Sequence, residues 1–180
     1  MAGRFLICAC YEELNRRKAV VCVHPTVPLC CLNLNSSTPS FFLEVPTDTA
    51  RTIASLVFSG IAARFPEIRF IFSHAGGTIM PIAGRITDLA QPAKHLAEKI
   101  PRGFGAELKK FYYDAAGAAD HAAMSALQAI VPNSHILFGS DYPFVPEATV
   151  LGLEKLGLAP DDLRAIERGN AQALLPRWRS

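Results

Sequence analysis

The sequence predicts an α/β chain built on a parallel sheet. Two observations carry that expectation: short runs of β-branched and aromatic residues recur along the chain, and each is followed by a longer stretch with helical spacing. Four strands each followed by a helix call for right-handed crossovers, as in half of an eight-stranded barrel or in a small open doubly wound sheet. No composition shift, internal repeat or low-complexity tract divides the 180 residues, so one domain spanning 1–180 is expected.

The first strand is "AVVCVHP" (19–25), a continuous apolar run of the kind found in strands covered on both faces. The polar loop "LNLNSSTPS" follows. The next helix is expected to begin near Thr47 or Asp48, either of which can cap its free amides. Ala50, Ile53, Ala54, Val57, Phe58 and Ile61 recur on one face of it, and Pro66 ends the pattern. "IRFIFSHAGG" (68–77) is the second strand with its loop, followed by a helix over 79–90. "KFYYDAAG" (110–117) is the third, followed by the Ala-rich "ADHAAMSALQAIV", which stops before Pro132. "SHILFGSDYP" (134–143) is the fourth. Two helices close the chain, "EATVLGLEKLGL" and "PDDLRAIERGNAQALL", the second opened by Pro160 and the pair Asp161 and Asp162. The strands are thus placed near 19–24, 68–74, 110–115 and 135–140, with helices on one face.

Composition excludes several function classes. The 18 Lys and Arg are scattered and the formal net charge is +2, so no basic stripe suits a nucleic acid. The longest apolar stretch, "IASLVFSGIAA" (53–63), is about half of what a bilayer requires. "FLICAC" falls short of a signal-peptide core and is followed at once by Glu12 and Glu13. A cytoplasmic protein with no membrane partner is expected. The 5 cysteines, at 8, 10, 22, 30 and 31, are odd in number and form no C-x-x-C pair, so a zinc ribbon is not indicated. They read as small buried hydrophobes, with a redox pair at Cys30 and Cys31 as the alternative. "SHAGGT" lacks both the dinucleotide fingerprint and the P-loop lysine.

Three of the four strands end on a polar group: "VCVHP" on His24, "FIFSH" on His74 and "LFGSD" on Asp141. In parallel α/β folds the carboxyl ends of the strands form the active face, so these side chains are expected to converge despite their separation in sequence. Singly, each has an ordinary role, a histidine bonding a loop carbonyl or an aspartate making a turn. Jointly, two imidazoles and a carboxylate are a ligand set for a divalent ion such as Zn²⁺ or Mn²⁺. His95 and His121 lie in helical segments and His135 at a strand's start, so all three read as structural or solvated.

"VHP", "FPEIRFIFSHAGGTIMPIAGRI" and "ILFGSDYPF" resemble, in order and spacing, the landmarks of the amidohydrolase-related metal-dependent decarboxylases. That family includes the aminocarboxymuconate-semialdehyde, resorcylate and 6-methylsalicylate decarboxylases. The similarity runs from about Tyr11 to Arg177, and "GNAQALL" resembles the family's ending. The resemblance implies the C-terminal half, about strands 5 to 8 with their helices, of a TIM (β/α)8 barrel of the metal-dependent hydrolase type. It makes His24 a metal ligand, Asp141 a metal ligand and proton carrier, and His74 a catalytic histidine beside the metal. Arg85 would reach the substrate carboxylate of a neighbouring subunit. The implied cofactor is a divalent metal, Zn or Mn, and the implied partners are a small carboxylic acid substrate and further copies in a homo-oligomer, dimer or tetramer.

The implied activity is non-oxidative decarboxylation of a hydroxybenzoate-like or related unsaturated acid. Metal-dependent hydrolysis of an amide or lactone, and a catalytically inactive fragment or interaction module, are the alternatives. The family also carries an upstream His-x-His on its first barrel strand, whereas no histidine precedes His24. The expectation is therefore a barrel truncated at its N-terminus, with lowered metal occupancy, impaired turnover and unpaired strand edges that favour association or poor stability.

Overall fold

The structure, a computed structural model, describes residues 2–31, 37–144 and 146–178; the polar loop expected over 32–40 lies mostly outside them. Its centre is a four-stranded sheet of β1 (Val20–Val23), β2 (Arg69–Phe72), β3 (Tyr112–Asp114) and β4 (Ile136–Leu137). All neighbours pair in parallel, in the order β1-β2-β3-β4. The four expected strands are present and shorter than expected. A sheet that follows sequence order without reversal sends every right-handed crossover over the same face, as in a barrel, and so excludes the doubly wound alternative.

The register separates the two faces. Phe70, Phe72, Tyr113 and Ile136 are buried on the helix-covered face, where Phe72 packs on Phe70, Phe111 and Tyr113. Arg69, Ile71 and Tyr112 on the opposite face are only half-buried, and Cys22 beside Ile71 is exposed. The apolar run of β1 therefore meets helices on one side only. Cys10 is also exposed and Cys31 is buried, so of these three cysteines only Cys31 fits the expectation of small buried hydrophobes.

Before the sheet, α1 (Ala2–Arg16) stacks Tyr11 on Phe65, and Asn15 accepts the Glu67 N–H. The helix after β1, α2 (Ser40–Phe58), starts well before the expected Thr47 or Asp48 and carries Pro46 inside it. Pro46 lacks a donor and should break a helix. Here the Thr47 hydroxyl bonds the Leu43 carbonyl, and the Pro46 carbonyl accepts the Thr78 N–H from across the fold, so neighbouring groups hold the turn together. Its buried face is Ala50, Ile53, Leu56 and Val57 with Thr49, close to the predicted stripe. Short α3 (Ile61–Arg64) precedes β2, and α4 (Ile79–Ala90) follows it. Two more short helices, α5 (Lys94–Ala97) and α6 (Phe104–Leu108), lead to β3. After it, α7 (His121–Gln128) is capped by Asp120, whose carboxylate accepts from the Ala122 and Ala123 amides.

The closing segments are α8 (Pro146–Lys155), α9 (Pro160–Arg164), a wider π-type turn over Ala165–Gly169, and α10 (Asn170–Leu174). The single helix expected over 160–175 is thus interrupted, and the interruption has a use. On β4, Leu137 turns its carbonyl to Ala115 N–H on the β3 side, so Ile136 and Phe138 turn theirs to the outer edge. There the Ile166 carbonyl, inside the π-type turn, accepts the Phe138 N–H at 2.9 Å, and the Asn170 amide donates to the carbonyls of Ile136 at 2.8 Å and Asn133 at 2.7 Å. The outer edge of β4 was expected to be unpaired; helical residues satisfy it instead. β1 has no strand partner on its outer side among the described residues.

Asn170→Ala leaves two carbonyls without their donor and should lower stability by about 2–4 kcal/mol in urea unfolding. Asn170→Asp, which faces both carbonyls with acceptors, should cost more than the alanine variant; equal or smaller loss would show that the amide does not hold this edge.

Candidate metal centre

Each of the three polar residues expected at the strand ends lies just beyond its strand, at the carboxyl edge of the sheet. His24 follows β1 directly, His74 lies two residues past β2, and Asp141 four past β4. The structure brings them together: one ligand atom from each lies within 4.8 Å of the others, the only such group of three among the described residues. His24 Nε2 stands 3.7 Å from Asp141 Oδ1, and the two imidazole rings meet edge to face at 5.3 Å between centroids.

Both imidazoles are oriented by backbone carbonyls. His24 Nδ1 lies 2.9 Å from the Pro25 carbonyl, and His74 Nδ1 lies 2.9 Å from the Ala116 carbonyl. A carbonyl can only accept, so each contact places the proton on Nδ1 and leaves the Nε2 lone pair free, the arrangement a metal-ligating histidine needs. Two donors on one ion at bonds of about 2 Å stand roughly 3–4 Å apart, which matches the His24 and Asp141 separation. The donor set, imidazole nitrogen and carboxylate oxygen, fits a borderline divalent cation.

The backbone at the site is unusual. His74, Ala75, Gly76 and Gly77 all have positive φ, and so does Asp141 at 52°. For a residue with a Cβ the left-handed conformation costs about 1–2 kcal/mol, and it persists only where the surroundings over-determine it. Gly77 has no choice: a Cβ on it would lie 2.0 Å from the Pro46 carbonyl oxygen. The turn is held by Ser73, whose N–H and hydroxyl both reach the Val23 carbonyl, and by the carboxyl of Asp114.

Asp114 is the residue that reading the sequence missed. It is the last residue of β3, so all four strands lead into a histidine or an aspartate at this edge. The signal was present in "FYYDAAG", had the strand been ended at the carboxylate. Burial pushes its carboxyl above the usual range, opposed by the backbone N–H groups of His74 and Ala116. The Cys22 thiol, on the open face nearby, is also raised, by partial burial and then by the Asp114 charge.

The remaining candidates stand apart from the cluster. Arg85 is exposed on α4 and enters no hydrogen bond or ion pair among the described residues. His95 and His121 are exposed, and His135 bonds the Phe111 carbonyl while stacking on Tyr112.

Parallel strands in sequence order that bring two imidazoles and a carboxylate to one edge make part of a barrel with a candidate metal centre at the carboxyl ends of its strands. The chain belongs to the amidohydrolase family, which it matches over residues 2–177. It is 33% identical over 181 residues to Decarboxylase yanB of Aspergillus niger, covering 93% of this chain and 49% of the relative. It is 32% identical over 178 residues to 6-methylsalicylic acid decarboxylase of Penicillium expansum, covering 93% and 53%. A dihydroxybenzoic acid decarboxylase of Polaromonas sp. JS666, crystallised with manganese and 2-nitroresorcinol, shares the fold at a TM-score of 0.77 and 19% identity, over 94% of this chain and 53% of that one. The chain therefore spans about half the length of the relatives it matches, in agreement with a partial TIM barrel.

Calorimetric titration with Mn²⁺ or Zn²⁺ should find one site per chain, weakened at least ~10²-fold by His24→Ala or Asp141→Ala. A well-folded chain that takes up neither ion would remove the metal reading. For Cys22, whose folded pKa is raised, the thiolate fraction at neutral pH is reduced. Its alkylation, followed by peptide mass spectrometry, should set in at higher pH than that of a free-cysteine peptide.

Proposed function

We propose that this chain forms the C-terminal half of a metal-dependent, non-oxidative decarboxylase acting on a hydroxybenzoate-like or related unsaturated carboxylic acid. The observation that carries the reading is the convergence of His24, His74 and Asp141 within 4.8 Å in a chain of the amidohydrolase family. The decarboxylases among its relatives support the reaction class.

His24 Nε2 and Asp141 Oδ1 would hold the divalent ion, with Mn²⁺ and Zn²⁺ both suited to the donors. When bound, that ion would supply positive charge with which to hold the substrate carboxylate. The reaction breaks the bond from the ring carbon to the carboxylate, leaves its electron pair on the ring, and forms a carbon–hydrogen bond at the same carbon. A proton must therefore reach that carbon. Asp141 would be the carrier, because its carboxylate stands within 4.8 Å of the His74 imidazole at the place where the substrate carboxylate would be held. His74, with Nδ1 committed to the Ala116 carbonyl, offers Nε2 as the group that exchanges the proton with Asp141 and stabilises charge developing on the ring.

Arg85, exposed on α4, would meet the substrate carboxylate of an adjacent copy in a homo-oligomer. The exposed thiols of Cys10 and Cys22 suit a reducing, cytoplasmic setting.

Decarboxylation of 6-methylsalicylate and 2,6-dihydroxybenzoate should be measured with Mn²⁺ or Zn²⁺ for the chain alone and for the chain co-expressed with the N-terminal half of the A. niger relative. Turnover should be very low alone and metal-dependent when complemented, and His74→Ala should then slow it by about 10²- to 10⁴-fold while most of the metal stays bound. Hydrolysis of lactones without release of CO₂ in the complemented protein would sink the decarboxylase reading.

A further inference from the structure

One carboxylate oxygen closes a ring of hydrogen bonds at the carboxyl edge of the sheet. Asp114 Oδ1 accepts the backbone N–H of His74 at 3.0 Å and that of Ala116 at 3.1 Å. The carbonyl of the same Ala116 lies 2.9 Å from His74 Nδ1. Asp114 thus grips both partners of the contact that orients the imidazole: the residue bearing the ring and the residue whose carbonyl receives the ring's proton. The far side of that loop is fixed as well, because the Gly117 N–H donates to the buried Thr149 hydroxyl at 3.1 Å.

Gly139 makes room for this carboxyl. A Cβ at Gly139 would lie 2.8 Å from both Cβ and Cγ of Asp114. Asp114 therefore wedges between the turn that carries His74 and the segment that, two residues later, carries Asp141. It lies outside the cluster of ligand atoms, so its influence runs through His74 and not through the ion.

We propose that Asp114 is a positioning residue for His74, holding the imidazole with its proton on Nδ1 and Nε2 open toward His24 and Asp141. In the reaction this deepens, and rests on, the reading of His74 as the proton-exchanging group. The hydrogen-bonded ring itself does not depend on any reaction. Two backbone donors need an acceptor oxygen, which an amide supplies as well as a carboxylate, so Asp114→Asn should preserve the arrangement and Asp114→Ala should not.

The test uses the 180-residue chain with ¹⁵N-labelled histidine, the His74 signal being identified by its loss in His74→Gln. In its neutral form, wild-type His74 should be held as the Nδ1–H tautomer. Asp114→Ala should shift the tautomer ratio toward Nε2–H by about tenfold, as for loss of a typical oriented hydrogen bond. Asp114→Asn should keep the wild-type ratio. Gly139→Ala, which displaces the carboxyl without removing it, should behave as Asp114→Ala does. In the complemented enzyme Asp114→Ala should lower kcat by about 10- to 100-fold with KM and metal content little changed, and Asp114→Asn should restore it. A folded Asp114→Ala or Gly139→Ala with an unchanged tautomer ratio overturns the proposal, and so does an Asp114→Asn that loses it. Absence of turnover in the wild-type complemented enzyme would instead strike the proposed function and leave the tautomer result standing.

Discussion

The parallel ladder from β1 to β4, laid down in sequence order, is the constraint on which everything else depends. Because no strand reverses, every chain crossing returns over the same face, and every strand delivers its last residue to the same edge. Residues 24, 74, 114 and 141 are brought to one edge in this way, although they are far apart in sequence. The helix-covered face supplies the adhesion that holds the ladder, through Phe70, Phe72, Phe111 and Tyr113.

Upon that ladder the site adds local strain. His74 and Asp141 both adopt left-handed backbone, which for residues bearing a Cβ must be compensated by fixed partners. For His74 the partners come from both flanking strands: Val23 of β1 receives the Ser73 hydroxyl, and Asp114 of β3 receives the His74 N–H. The turn is therefore set by the sheet on either side of it. Side chains held in this way cannot drift as they would on an ordinary loop, and this matters for a group that must meet an ion or pass a proton.

Much of this was legible in the sequence, and the failures have physical causes. The four strands announced themselves because Pro66 and Pro132 punctuate clean apolar runs, and His24, His74 and Asp141 stood out because polar groups are costly next to such runs. The start of α2 was hidden by Pro46, a local breaking signal overruled by the Thr47 hydroxyl and by the Thr78 amide from a distant segment. The break at 165–169 was equally hidden, since it answers the needs of β4 and not of the helix. Asp114 is hidden because the apolar Ala115 and Ala116 prolong the run of its strand, which makes a terminal carboxylate look internal. The exposure of Cys22 was hidden too, since alternation within the four residues of β1 is too short to show which of its faces the helices cover.

The helical cover on the outer edge of β4 makes the sheet polar in its growth. A ribbon that extends head to tail needs two complementary edges, and Ile166 with Asn170 already occupies one of them. The two hydrogen bonds that complete this stretch of backbone, at the Phe138 N–H and the Ile136 carbonyl, therefore also act as a stopper: they leave neither group open for an incoming strand to template on.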